Sequence, residues 1–383
     1  MSVMQSAPGP ETIIEGRRVL YFAGCGYLGL QGDPRVIEAA CEATRKYGLH
    51  TATSRGGFGD SPPVLAVEKR AAEFFGTEDA FYFPTGYAGP TILLDAFNTQ
   101  FDAIIVDEAS HFASRDAAAM TGEGNRQAAR IARFRHGDCE HLRRLLAAAD
   151  GERVAVLCDG VSPVLGDIAP LPEIHAAVKE HGLAVLIVDD AHGVGTLGSR
   201  GRGIVEFYEE RTGLTCRVNE HGEVGGAMPV YRCGTLSKAV GGYGGVIAGS
   251  RDFVADAKRS PWFNGASALP VGVAAATAKA LEIVIAEPGL RQSLHANVKR
   301  MKDGLRSLGL TVNDNPVPII CLQLGDAANM QRIQQALMQR DIAIAYIRSY
   351  SGVGPQGALR IAVFANHTTA MIDRLIEELR GWV

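Results

Sequence analysis

The sequence predicts an α/β protein, built on a mainly parallel sheet with helices on both faces and followed by a smaller α+β domain. Short runs rich in Val and Ile alternate with amphipathic segments over the first two thirds of the chain. Strands of a parallel sheet are buried on both faces, which produces such continuous apolar runs. After about residue 265, long helical patterns replace this alternation. We therefore expect a large sheet domain first and a smaller domain after it.

Seven apolar runs predict the strands of the large sheet: Phe81–Phe83, Ala103–Val106, Ile131–Phe134, Val154–Cys158, Ala184–Val188, Val230–Cys233 and Gly245–Ala248. Apolar residues at helical spacing predict helices between them over Leu65–Phe75, Tyr87–Phe97, Cys139–Ala149 and Leu171–His181. In the last part, helices are predicted over Val271–Ala286, Leu290–Leu308 and Ala327–Gln339 and from Thr368, with apolar runs at 317–324, 342–347 and 358–364. The expected divisions are an N-terminal segment (1–30), a large domain (31–265) and a small C-terminal domain (266–383).

Composition narrows the functional class. The 383 residues are 46% hydrophobic and 21% charged, with a net charge of −4, which argues against nucleic-acid and membrane-surface binding. No apolar run reaches the roughly 18 residues of a membrane-spanning helix, and the first residues lack the apolar core of a secretory signal. The seven cysteines are scattered and form no CxxC pair. This pattern predicts neither disulfides nor a zinc site, and it favours the cytoplasm.

The stretch "VDDAH" (188–192) is the first candidate for chemistry, because an apolar strand ends in Asp189 and His192 follows three residues later. A carboxylate at the end of a buried strand is costly unless it is paired or faces a ligand. A helix cap or a turn would give the same pattern, since Asp and Gly are common there. The motif alone leaves both interpretations open.

Two further motifs combine polar groups with glycine. In "TLSKAVGGYGG" (235–245), Lys238 lies among hydroxyls and glycines, as a lysine used as a covalent amine would require, and Thr235 could reach a phosphate. In "FYFPTGYAGP" (81–90), a strand leads through Thr-Gly-Tyr into a helix, whose first amides can bind an anion. Taken singly, the first could be a solvated loop and the second an ordinary strand-to-helix turn.

The order of the motifs is more specific than any one of them. From "YLGL" (27–30), through "TGY", "DEASH" (107–111), "VDDAH" and "TLSK", to "ALRIAVFANHT" (358–368), the chain resembles the α-oxoamine synthases. The resemblance implies a fold-type I pyridoxal-phosphate enzyme that acts as a homodimer with its active site at the subunit interface. It also implies condensation of a small α-amino acid with an acyl thioester, carried by CoA or an acyl-carrier protein, with decarboxylation to an α-aminoketone. An aminotransferase or decarboxylating lyase on the same fold is the alternative.

The resemblance assigns individual roles. Lys238 matches the Schiff-base lysine, and Asp189 matches the carboxylate that holds the pyridine nitrogen protonated through a charge-assisted bond. His192 would contact the phenolic oxygen of the cofactor, and His111 would stack on its ring. Arg360 would grip the substrate carboxylate through two parallel bonds. The implied phosphate contacts are Thr85, Gly86, Tyr87 and Thr235, together with Ser267 from the partner subunit.

Departures from the family pattern concern the second substrate. Pro163, in "DGVSPVLGD" (159–167), stands where the family usually has a serine beside the cofactor. Proline has no hydroxyl, so either Ser162 substitutes for that serine or the contact is absent. Cys25 and Gly26 replace a polar pair that usually precedes "YLGL".

Overall fold

The computed structural model describes residues 2–97, 100–120, 129–221, 228–350 and 352–382. Its strands are β1 (Glu11–Ile14), β2 (Arg17–Tyr21), β3 (Asp79–Phe83), β4 (Ala103–Asp107), β5 (Arg130–Phe134), β6 (Val154–Asp159), β7 (Ala184–Asp189), β8 (Val230–Thr235), β9 (Gly245–Gly249), β10 (Ile319–Leu322), β11 (Ile342–Ala343), β12 (Ala345–Ile347) and β13 (Ala358–Ala362). Its α-helices are α1 (Pro34–Tyr47), α2 (Pro62–Phe75), α3 (Gly89–Ala96), α4 (Phe112–Met120), α5 (Cys139–Ala147), α6 (Leu171–His181), α7 (Ile204–Thr212), α8 (Arg251–Ala257), α9 (Pro261–Asn264), α10 (Val271–Ala286), α11 (Gly289–Ser307), α12 (Ala327–Gln339) and α13 (Thr369–Arg380).

The large sheet has seven strands in the order β3-β9-β8-β7-β6-β4-β5. All neighbouring pairs from β8 to β5 are parallel, whereas β9 is antiparallel to both of its neighbours. Each of the seven predicted strands is present and extends one or two residues beyond its predicted ends. The prediction of a mainly parallel seven-stranded sheet is therefore confirmed.

Helices cover both faces of this sheet, so alternate residues of one strand enter two separate apolar cores. In β6, Val154, Val156 and Cys158 pack in one core. Ala155 and Leu157 pack in the other. A strand buried on both faces must be apolar throughout, which explains why β6 could be recognised as a strand in the sequence.

The last part of the chain contributes two small sheets. Strands β10, β13 and β12 form an antiparallel sheet in that order. Strand β11 instead runs parallel to β2 in a sheet with β1, pairing Ile342 with Leu20. The apolar run at 342–347 is thus divided between two sheets, and the N-terminal strands are hydrogen-bonded to a strand made much later.

Helix ends follow local capping chemistry. The carboxylate of Asp138 accepts from the amide of His141 at the start of α5. The hydroxyl of Thr368 accepts from the amide of Met371 at the start of α13. Side-chain oxygens at this position satisfy amides that the helix itself leaves free. Among the described residues, no helix is both long enough and apolar enough to cross a bilayer.

Candidate active site

The carboxyl ends of β3, β4, β6, β7 and β8 meet at one edge of the large sheet, as the parallel arrangement requires. A cavity of about 210 Å³ lies at this edge. Its lining includes eight of the residues predicted from the sequence: Thr85, Gly86, Tyr87, His111, Asp189, His192, Thr235 and Lys238. Residues from five different strand ends are therefore brought to one place.

Lys238 lies on the turn between β8 and β9, and its Nζ is 2.8 Å from Nε2 of His192. The turn is held in place because the side chain of Gln31 donates to the Lys238 carbonyl at 2.7 Å. Gly241 has a φ of 80°, and a Cβ there would lie 2.6 Å from the Cβ of Leu30. Burial lowers the pKa of Lys238, and the charge of Asp189 partly opposes this shift. A neutral amine, the form needed for nucleophilic attack, is thus more accessible than on an exposed lysine.

Two carboxyl groups, Asp159 and Asp189, lie side by side at the ends of β6 and β7. Asp189 accepts from the amide of Ala191 at 3.0 Å, and Asp159 accepts from the amide of His111 at 2.8 Å. Burial raises the pKa of both, and the positive charge of Lys238 lowers that of Asp189. The Asp189 charge raises the pKa of Asp159 further, to well above its usual value.

A chain of contacts connects Lys238 to Arg360. Nδ1 of His192 is 2.8 Å from the Tyr27 hydroxyl oxygen, which accepts from Arg360 at 3.1 Å. Burial, followed by the charge of Lys238, lowers the pKa of His192 well below its usual value. The imidazole is therefore neutral, with one protonated nitrogen. When Nε2 accepts from the lysine, Nδ1 is the donor to Tyr27, which fixes the tautomer.

Arg360 lies on β13 and is 5% exposed. Its Nε donates to the carbonyl of Pro163 at 2.8 Å, and a second nitrogen donates to the carbonyl of Gly24 at 2.9 Å. The third nitrogen contacts Tyr27 and, at 3.5 Å, the sulfur of Cys25. Because most of its donors are engaged, a bidentate grip on a carboxylate requires one contact to open, and the long contact with Cys25 is the weakest.

The opposite end of the cavity is formed by the turn after β3 and by the start of "TLSK". Thr85 caps the turn by accepting from the amide of Tyr87 at 3.3 Å. A Cβ on Gly86 would lie 2.9 Å from both Cβ and Oγ1 of Thr235, so only glycine permits this approach. The hydroxyl of Thr235 donates to the carbonyl of Gly244 at 3.0 Å, and Ser237 contacts the same carbonyl. Backbone amides and two hydroxyls therefore converge at this end.

His111 forms one wall of the cavity. Its ring lies edge-on to Tyr87, with centroids 5.7 Å apart. Nδ1 accepts from the amide of Ala113 at 3.0 Å, which orients the ring at the start of α4. Burial lowers the pKa of His111, with the charge of Asp189 acting in the opposite direction. A neutral ring in the cavity lining is compatible with the stacking role that the resemblance implied.

Ser162 and Ser267, two residues considered in the sequence analysis, are not part of the cavity lining. Ser162 accepts from the amide of Leu165 at 3.3 Å, within the turn after β6, so its hydroxyl stabilises that turn. Of the two alternatives at this position, the absence of the serine contact is favoured. Ser267 is exposed and pairs with Ser54 in an isolated bridge. Its predicted role in a partner's site stays a prediction.

The structure also adds cavity residues that the motifs did not single out, namely Asp159, Ser237 and Tyr243. Ser237 belongs to "TLSK" and could have been named with Thr235. Asp159 ends an apolar strand in the same way as Asp189, and their register in the sheet places them together. Tyr27 was visible only as part of "YLGL", because its contact with His192 spans 165 positions of the chain.

The donor set of the cavity fits pyridoxal phosphate. The amine of Lys238 can form a covalent bond to an aldehyde, and the carboxylate of Asp189 can pair with a pyridinium nitrogen. The cradle at Gly86, where a Cβ would meet Thr235, leaves the backbone open to a phosphate. All of these groups line one cavity.

Comparison with known proteins agrees with this assignment. The family described as "Aminotransferase class I and II" matches residues 19–379. An 8-amino-7-oxononanoate synthase of Stutzerimonas stutzeri (strain A1501) is 35% identical over 379 residues, covering 98% of this chain and 91% of that protein. The chain belongs to the α-oxoamine synthase family. Another 8-amino-7-oxononanoate synthase, of Methylococcus capsulatus, is 34% identical over 378 residues, covering 98% of this chain and 92% of that one.

Solved structures of serine palmitoyltransferases are similar to this α-oxoamine synthase over its whole length. One from S. paucimobilis, solved with bound PLP and myriocin, superposes with a TM-score of 0.87 at 27% identity. The match covers 100% of this chain and 92% of that one. The Sphingomonas wittichii serine palmitoyltransferase gives a TM-score of 0.87 at 28% identity, covering 99% and 91%. The chain is thus a fold-type I, pyridoxal-phosphate-dependent acyltransferase that condenses an amino acid with an acyl thioester.

Proposed function

We propose that this α-oxoamine synthase joins a small α-amino acid to an acyl thioester with loss of carbon dioxide, giving an α-aminoketone. The observation that carries the proposal is the continuous chain of contacts Lys238–His192–Tyr27–Arg360. It connects the Lys238 amine, whose pKa is lowered, to the buried guanidinium of Arg360. The amine is needed to move a proton at the α-carbon, and the guanidinium is needed to hold the carboxylate of the same amino acid.

Pyridoxal phosphate, when bound, supplies an electron sink for the bond that breaks at the amino acid's α-carbon. Lys238 removes the α-proton in its neutral form, which burial favours. Arg360 binds the amino-acid carboxylate after exchanging its contact with Cys25. Asp189 would pair with the pyridine nitrogen through a charge-assisted hydrogen bond. Thr235 and Ser237 hold the phosphate end in place.

The amino acid is proposed to be small because the room is limited. The cavity of about 210 Å³ must hold the cofactor as well as the substrate, whereas pockets for drug-sized ligands range from about 300 to 1,000 Å³. His111 on one wall and Val161 on another narrow the space further.

We also propose that the enzyme is a cytoplasmic homodimer with the active site at the interface. Several large apolar side chains are exposed, among them Leu49 at 71%, Phe58 at 95% and Tyr243 at 54%, and Tyr243 lines the cavity. Large exposed apolar groups beside a cavity are typical of a surface that a partner covers. Ser267 is tied to this face by its bridge with Ser54, which supports its assignment to the partner's phosphate. A Phe58→Glu variant should shift the sedimentation of the protein towards the monomer, and an unchanged dimer would contradict the proposed interface.

The reaction is tested by scanning the cofactor-loaded enzyme with twenty amino acids for a change in its visible spectrum. Responding amino acids are then offered with thioesters of increasing chain length or with a 2-oxoacid. We expect release of free thiol and carbon dioxide with a thioester. Amino transfer to the 2-oxoacid without thiol release would instead support the aminotransferase alternative.

The role of Lys238 is tested separately with Lys238→Ala. Borohydride reduction should fix the cofactor covalently to the wild-type chain and leave the variant chain unlabelled, as mass spectrometry would show. Lys302→Ala is the matched control, because Lys302 is also a buried lysine but contacts Asn313 and Asn315 outside the cavity. Labelling of the Lys238→Ala chain at the wild-type level would refute the assignment.

A further inference from the structure

Tyr350 packs its aromatic ring against His111, a residue that lines the active-site cavity. It lies on the segment between β12 and β13, and its ring centroid is 6.2 Å from that of His111. It also packs edge-on against Phe112, with centroids 5.3 Å apart. The neighbouring Gly352 lies close to Ala109, since a Cβ on Gly352 would be 2.7 Å from the Ala109 Cβ. Tyr350 and Gly352 therefore pack against the residues on either side of His111.

The hydroxyl of Tyr350 is buried and has no hydrogen-bond partner among the described residues. Two more buried polar atoms, Ser110 Oγ and Asp159 Oδ1, share this property, and all three surround His111. Ser110 precedes His111, and the other oxygen of Asp159 accepts from its amide. Seven such side-chain atoms are found in the described part of the chain, so their concentration here is pronounced. Buried polar groups are normally satisfied, and a ligand can supply what the protein does not.

Charged groups of the active site act on the Tyr350 phenol. Burial raises the pKa of the phenol, and the carboxylates of Asp159 and Asp189 raise it further. The charge of Arg360 acts in the opposite direction, and Cys25 also contributes. A phenol whose pKa is raised keeps its proton and can donate a hydrogen bond.

The acyl-transfer step creates a need for such a donor. The α-carbon of the amino acid forms a bond to the thioester carbonyl carbon, and the π electrons of the C=O bond move onto oxygen. They return to re-form C=O as the C–S bond breaks, and the thiolate leaves and takes up a proton. A donor already aimed at that oxygen stabilises the charge as it develops.

We propose that the Tyr350 hydroxyl donates this hydrogen bond to the carbonyl oxygen of the acyl thioester. Tyr350 is then a catalytic residue contributed by the small domain, and its inference rests on the acyl transfer proposed above. The unpartnered hydroxyl beside His111 carries the assignment, because the ring is anchored by Phe112 while its polar end is left for a ligand.

The test replaces Tyr350 by Phe in the cofactor-loaded enzyme, which removes the hydroxyl and keeps the ring contacts. Tyr346→Phe is the matched control, because Tyr346 lies on the same small-domain stretch and donates to the Gln356 carbonyl at 2.9 Å. Thiol release measured with saturating substrates should fall about 100-fold in Tyr350→Phe, as for loss of one oxyanion donor. The KM for the thioester should change by less than about threefold, as expected for an interaction made mainly in the transition state. Without thioester, the amino-acid Kd, read from the cofactor absorbance, should stay within about twofold of wild type, since the hydroxyl acts after that complex forms.

Three results would overturn the inference. One is unchanged thiol release in Tyr350→Phe, and another is an equal loss in Tyr346→Phe, which would indicate a disturbed segment rather than a lost donor. The third is a parallel loss of amino-acid affinity, which would assign the hydroxyl to the first substrate. If the wild-type enzyme released thiol with no thioester of the panel, the proposed acyl transfer itself would fail, and this outcome is distinguishable from the other three.

Discussion

Replacing Tyr27 by Phe removes a single oxygen atom from the chain of contacts between Lys238 and Arg360. Tyr27 is fully buried, so a Phe ring can occupy the same space. The lost hydroxyl is the partner of His192 Nδ1 and of one Arg360 nitrogen. His192 is then left with one unsatisfied ring nitrogen, whereas Arg360 keeps its carbonyl contacts with Gly24 and Pro163.

The size of the effect follows from these contacts. One buried polar group left without a partner costs about 1–3 kcal/mol, so the free energy of unfolding should fall by about 2 kcal/mol. With an unfolding entropy of about 2.1 cal/mol/K per residue and 383 residues, the thermal midpoint should fall by about 2–3 °C. Because the tautomer of His192 is no longer fixed, we also expect kcat/KM for the amino acid to fall about tenfold, equivalent to about 1.4 kcal/mol.

The assay is thermal unfolding of the cofactor-loaded protein, followed by steady-state kinetics with the amino acid varied. Tyr208→Phe is the control, since Tyr208 donates to the Ala169 carbonyl at 2.9 Å, and neither residue lines the cavity. It should lose stability without losing kcat/KM. A Tyr27→Phe enzyme with wild-type kinetics, or equal kinetic losses in both variants, would refute the view that Tyr27 orients the pair of Lys238 and His192.

The remaining predictions concern other parts of the site and its support. Reaction of Lys238 with an amine reagent in cofactor-free protein should rise with pH to a midpoint below 10.5, because burial lowers its pKa and the neutral amine reacts. Arg55→Met should lower the free energy of unfolding in urea by about 3 kcal/mol, the lower end of the range for breaking a buried ion pair, since buried Glu68 loses a partner at 2.6 and 3.1 Å from its two carboxylate oxygens but keeps Lys258 at 3.4 Å. Gly86→Ala should weaken pyridoxal-phosphate binding about tenfold or more in equilibrium dialysis, since each 1.4 kcal/mol is tenfold in Kd and the new Cβ would meet Thr235 at 2.9 Å.

Each of these predictions has a contradicting outcome. A Lys238 midpoint at or above 10.5, with Lys238→Ala protein as the unreactive background, would show that its amine is well solvated. In the Arg55→Met background, Glu68→Gln should recover part of the lost stability, and a further additive loss would argue against an uncompensated charge. Gly289→Ala is the control for Gly86→Ala, because a Cβ there has no neighbour within 4 Å. Equal effects on cofactor binding in both would contradict the steric argument.

The sheet and the cofactor groups could be predicted from the sequence because their signals are local. A strand buried on both faces is apolar throughout, and its polar end residue is conspicuous, as at Asp189. Parallel strand ends share one edge, so motifs far apart in the chain had to meet there. Lys238, His192 and His111 line one cavity at that edge, as the resemblance to the α-oxoamine synthases implied.

The rest depended on contacts that no local pattern encodes. Tyr350 reaches His111 from the segment between β12 and β13, and nothing in "RSYSG" distinguishes its hydroxyl from that of a surface tyrosine. The sequence also did not decide whether Ser162 replaces the missing serine. Only the structure shows that the Ser162 hydroxyl accepts a hydrogen bond from the Leu165 amide. The division of the run at 342–347 between two sheets depends on which partner strands are near, which propensity does not determine.

The pairing of β2 with β11 has a consequence for how the protein is made. Leu20 lies opposite Ile342, and the carbonyl of Gly24 that holds Arg360 is 336 residues away from it in the chain. At about 5–20 residues per second of synthesis, the first strands wait tens of seconds for their partners. When the last strand of the large sheet, β9, has been translated, Arg360 on β13 has not yet been made. Because Arg360, the proposed carboxylate-binding residue, is translated 122 residues after Lys238, a nascent chain can contain the proposed cofactor groups before it contains that arginine.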